Sequence, residues 1–115
     1  MSLPITLLVL FTAALLEAGG DAFVRSGLKA STTASRTLLF IAGALVLFAY
    51  GYVVNAPPWD FGRLLGVYVV FFFIAAQLIS FFIFHTPPST ATLVGGLFII
   101  IGGAIISFGN STRAF

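Results

Sequence analysis

Four long apolar stretches, separated by short polar breaks, occupy most of this 115-residue chain. A helix needs about 20 mostly apolar residues to cross a hydrocarbon core of roughly 30 Å. The sequence predicts spans over residues 3–28, 37–54, 61–84 and 90–109. The apolar runs are continuous rather than alternating, which excludes a membrane β-barrel. The fold class expected is therefore all-α, a single four-helix transmembrane bundle. Only 7% of residues are charged, far below the roughly 25% of an ordinary soluble domain.

The breaks are recognisable. Ser31–Arg36 separates spans one and two; Asn55–Asp60, with Pro57 and Pro58, separates two and three. Thr86-Pro87-Pro88-Ser89 separates three and four, with Ser89 or Thr90 as the candidate N-cap. Paired prolines cannot continue a helix. Trp59, Tyr50 and Tyr52 fall near span ends, where amphipathic rings favour the interface. The N-terminus lacks the basic stretch of a signal peptide, and the first span is read as a retained helix. Arg25, Lys29 and Arg36 on one side, against Arg63 and Arg113 on the other, favour both termini outside by a narrow margin.

Composition narrows the chemistry. Without cysteine there is no disulfide, thiol catalysis or Cys-based zinc site. One histidine and three carboxylates leave little for a metal, and no cofactor is expected. The net charge of +2 is scattered, so nucleic acid has no basic patch to bind. An enzyme is not expected: there is no nucleophile–base pair, and Ser80 and His85 lack a third, orienting group.

Glu17 stands out. It lies near the middle of the first span, where a charged side chain costs on the order of 2.5–3.5 kcal/mol on insertion scales. Low dielectric disfavours its charged form, and a carboxyl in that position can hold a proton or a cation but not both. That exclusive choice is the simplest basis for antiport; the bland alternative is a protonated, hydrogen-bonded structural carboxyl. Asp21, Arg25 and Lys29 follow at four-residue spacing, on one helical face. They read most simply as a structural ladder, with Lys29 reaching the headgroups. Asp21 is also a candidate second proton-carrying group. Tyr68 and Gln77 in span three are candidate cavity or coupling residues, each with ordinary packing as the alternative.

In span four, Gly95, Gly102 and Gly109 recur every seven residues, with Gly96 and Gly103 beside them. Small residues let helices approach closely in lipid, so Gly95, Gly96, Gly102 and Gly103 are the candidate packing residues of a homodimer. Packing within the chain is the competing explanation.

The run Ala13-Ala14-Leu15-Leu16-Glu17-Ala18-Gly19-Gly20, followed by Arg25, resembles the first span of the small multidrug resistance transporters. Gly62-Arg63-Leu64-Leu65-Gly66-Val67-Tyr68-Val69 is similar to the third span of the related YnfA-type membrane proteins. The resemblance covers essentially the whole chain. It implies an antiparallel or dual-topology dimer in a bacterial inner membrane, with Glu17 exchanging protons for a small cationic solute. Two departures bear on the substrate: the only tryptophan, Trp59, precedes span three, and Asp21 replaces a neutral residue. The second functional reading is a non-transporting structural or accessory protein assembled with a partner.

Overall fold

The computed structural model describes residues 3–109. They form α1 (Leu3–Leu28), α2 (Thr33–Asn55), α3 (Phe61–Phe82) and α4 (Thr90–Gly109). All four are long and apolar enough to cross a membrane. Arg113 of the topology count lies outside the described residues.

Local chemistry sets the helix ends. α2 begins about one turn before its apolar run, because Thr32 accepts a hydrogen bond from the Ser35 N–H at 3.1 Å and caps the helix. Hydropathy alone does not register a polar first turn. α3 ends at Phe82, slightly short of the expected Phe84, as His85 enters the left-handed region at φ 56°. There the Thr86 N–H reaches back to the Ser80 carbonyl at 2.9 Å, and Pro87 and Pro88 follow. Ser89 caps α4 by accepting from the Thr92 N–H at 3.1 Å.

The helices lie in a row, α2–α1–α3–α4. α1 packs on both α2 and α3, while α4 packs on α3 alone. The chain is accordingly slab-like, 53 × 35 × 20 Å. Glycines set the two outer contacts. At Gly20 an added Cβ would lie 2.7 Å from the Leu47 side chain, and at Gly43 2.7 Å from Val24 and 3.2 Å from the Gly20 carbonyl oxygen. Such proximity of backbones is available only without a Cβ on at least one side. Across α3 and α4, Phe73 fills the space over Gly96, Val70 that over Gly103, and Ile106 that over Gly66.

The middle contact, α1 on α3, holds the core. Leu10, Ala13, Ala14 and Ala18 pack there with Leu64, Val67, Tyr68 and Ala75. Small alanines on α1 leave room for the large rings of α3. Most of the remaining large apolar side chains, such as Leu45, Phe48, Phe98 and Phe108, face outward, as suits a chain whose solvent is hydrocarbon.

Candidate functional site

Glu17 sits just past the midpoint of α1, flanked by Ala14 and Ala18, which are buried against α3. Its carboxylate is half-buried and accepts a hydrogen bond from the Tyr68 hydroxyl of α3, 3.0 Å from Oε1. Tyr68 is 4% exposed, so this hydroxyl has little access to any other partner. Tyr50 of α2 stacks on the Tyr68 ring at 5.7 Å and 24°, and Phe72, one turn further along α3, lies at 6.4 Å and 29°. The ring that meets the carboxyl thus stands between two others, the three drawn from two helices.

A cavity of about 430 Å³ opens between the later halves of α1 and α3. Ala18, the residue after Glu17, and Phe72, the last of the three rings, both line it. Asp21, Arg25 and Lys29 line the same cavity at successive turns of α1. Phe84 forms the facing wall: the Arg25 guanidinium lies 5.9 Å and the Lys29 ammonium 5.7 Å from its ring centroid. Both are within the range at which a ring face attracts a cation. The two cations therefore lean on the turn that follows α3 rather than only reaching toward headgroups. The cavity passes from apolar beside Glu17 to charged at the loop end.

The structure brings Glu17 and Tyr68 together and places Asp21 on the cavity. Gln77 is half-buried on α3 and does not line that cavity. Of the glycines, Gly96 and Gly103 are buried against α3, whereas Gly95 and Gly102 have nothing within 4 Å of an added Cβ. Of the four candidate packing glycines, Gly95 and Gly102 are thus not used for packing within the chain. Two participants were not expected from sequence. Tyr50, read as an interface ring, is part of the stack, and Phe84, which the sequence did not single out, is the cation wall. The signal for Tyr50 was a polar-tipped ring inside an apolar run; Phe84 gave none. Among the described residues no group of three or more His, Cys, Asp or Glu side chains is placed to hold a metal.

A family model described as "Uncharacterised BCR, YnfA/UPF0060 family" matches residues 3–114. The chain belongs to the YnfA/UPF0060 family. A relative described as "UPF0060 membrane protein", from Herpetosiphon aurantiacus, is 33% identical over 99 residues, covering 84% of this chain and 86% of that protein. No solved structure matches. Membership accords with the YnfA-type resemblance read from the third span, and with four helices suited to crossing a bilayer. As in the sequence, the only tryptophan of this YnfA/UPF0060 member stays off α3. Trp59 sits in the α2–α3 connection, where its Nε1–H donates to the Val54 carbonyl at 2.8 Å.

Proposed function

We propose that this YnfA/UPF0060 member is a proton-coupled antiporter that exports a small cationic solute, with Glu17 alternating between proton and substrate. One observation carries the reading: a mid-span carboxylate, met by a single tyrosine hydroxyl, stands next to a cavity that opens at one end of the helices. A carboxylate with one hydrogen-bond donor keeps acceptor capacity for a proton or an ammonium. Tyr68 orients the carboxyl, and the adjoining rings of Tyr50 and Phe72 favour an organic cation over a strongly hydrated inorganic one. Catalysis has no part in this reading.

The working unit is a homodimer in a bacterial inner membrane. α4 packs on α3 alone, and Gly95 and Gly102 lie on its uncovered side, which favours that helix as the contact between copies. The narrow charge bias favours the loop carrying Arg36 on the cytoplasmic side.

The hydrogen bond itself favours one competing reading, in which Glu17 is a permanently protonated strut between α1 and α3 in a scaffold protein. Proteoliposomes separate the two. With guanidinium-like, polyamine-like and quaternary ammonium solutes, the antiporter gives solute-driven proton movement that Glu17→Gln abolishes. A scaffold gives none with any of them, and Glu17→Gln leaves its assembly intact.

A further inference from the structure

The charges of the cavity are not those of a simple cation path. Ahead of Glu17, a solute meets Asp21 but also Arg25 and Lys29, so the charged lining is net positive. Both cationic heads are turned onto the Phe84 wall, which holds them at the cavity instead of spreading them into the interface. A bare cation finds Asp21 there but leaves Arg25 and Lys29 without a counter-charge. A solute with an anionic group at the mouth and an ammonium further in is attracted at both ends.

We propose that this cavity binds a small zwitterion, its ammonium toward Asp21 and its phosphate toward Arg25 and Lys29. The spacing fits: one helical turn of about 6 Å separates Asp21 from Arg25, the reach of a two-carbon linker with its end groups. A guanidinium and an ammonium one turn apart can share the oxygens of one phosphate, the former through its planar fork and the latter as a point charge. Phe72 and Ile79 supply an apolar wall against the linker. The same charged residues also border a shallower groove toward Leu47 on α2; it lacks the aromatic wall that holds the cations. The chemistry is shared by a free phosphoethanolamine-type solute and by the headgroup of phosphatidylethanolamine. The proposal goes beyond the transport reading, whose exchange takes place at Glu17, and its binding step is measurable by itself.

The test is calorimetric titration of the full chain in phosphatidylglycerol nanodiscs with O-phosphoethanolamine, ethanolamine and inorganic phosphate. Phosphoethanolamine is expected to bind at least tenfold more tightly than either half. Arg25→Gln and Asp21→Asn each remove that advantage, and Arg25→Lys, which keeps the charge but not the fork, retains part of it and guards against a folding artefact. Equal affinity for ethanolamine and phosphoethanolamine overturns the proposal and leaves the Glu17 antiporter reading standing. Inorganic phosphate binding as tightly as phosphoethanolamine also overturns it, in favour of a plain anion site. Repeating the titration in discs containing phosphatidylethanolamine identifies the source. A severalfold loss of apparent affinity assigns the site to the lipid headgroup, and an unchanged value assigns it to the free solute; both uphold zwitterion recognition. Loss of proton coupling in Glu17→Gln with unchanged phosphoethanolamine affinity separates the transport step from the binding step.

Discussion

The Tyr68 hydroxyl donates to Glu17 Oε1 at 3.0 Å, and with this contact α3 reaches across the buried core to the one carboxyl at mid-span of α1. A hydrogen bond to a charged group contributes about 1.5–3 kcal/mol, and the partner left behind loses that compensation. The pair therefore couples the position of α1 on α3 to whatever occupies the carboxylate. Under the proposed exchange, a cation or proton on Glu17 would change the hold on Tyr68, and the α1–α3 interface is where a response would be looked for first.

Tyr68→Phe keeps the ring stack with Tyr50 and Phe72 and removes only the donor. We expect solute affinity in reconstituted protein to fall by about tenfold, following the magnitude of such a bond, and the melting temperature in detergent to drop as well, because the same bond ties α1 to α3. A variant indistinguishable from the parent in solute binding and exchange would remove Tyr68 from the mechanism.

The two glycine series of α4 give opposite outcomes on alanine substitution. At Gly103 the new methyl collides with Val70, and at Gly96 with Phe73; overpacking of this kind costs about 1–3 kcal/mol. At Gly102 the space is open, and replacing a helical glycine by alanine gains up to about 1 kcal/mol. Thermal unfolding in mild detergent should thus fall for Gly103→Ala and hold or rise for Gly102→Ala. A bulkier Gly102→Leu should leave unfolding of the single chain unchanged while reducing inter-subunit cross-linking. Equal effects at Gly102 and Gly103 would contradict this division.

Gly20 and Gly19 form a second contrasting pair. A methyl at Gly20 meets Leu47, including its backbone nitrogen at 3.2 Å, while Gly19 has nothing within 4 Å. Gly20→Ala should push α2 away from α1 and, one turn from Glu17, lower transport severalfold; Gly19→Ala should not. Cysteine cross-linking between α1 and α2, run beside the transport assay, reads the separation directly.

Trp59→Phe keeps an aromatic ring in the α2–α3 connection and deletes the bond to the Val54 carbonyl. The expected cost is about 1 kcal/mol, seen as a small drop in melting temperature. Solute specificity should not change, because Trp59 lies outside the α1–α3 cavity. An altered preference among aromatic cations would return Trp59 to the substrate path.

Much of the architecture was legible without coordinates, for identifiable reasons. Transfer into hydrocarbon is a sum over neighbouring residues, so the four spans follow from runs of apolar residues. The breaks between them follow from Thr32, Pro57, Pro58, Pro87 and Ser89, whose effects are local. Glu17 was legible as well, because a carboxyl at that depth is costly wherever the helix points. The start of α2 was misplaced by about a turn, because a capped polar turn adds no hydropathy.

Rotation of each helix about its axis was a different matter. In water an amphipathic stripe reveals which face is inward; here both faces are apolar, and the choice falls to shape. That is why Gly96 and Gly103 could not be told from Gly95 and Gly102 until Phe73 and Val70 were seen to fill the former pair. It is also why Tyr50 and Tyr68, 18 residues apart on different helices, were not recognisable as one stack. Residue order alone therefore carries the spans, their ends to within about a turn, and the one residue whose burial demands a reason. Only tertiary structure decided that Tyr68 answers Glu17 and that Arg25 and Lys29 rest on Phe84, because azimuth in lipid is set by the fit of side chains between helices and not by any one helix's own composition.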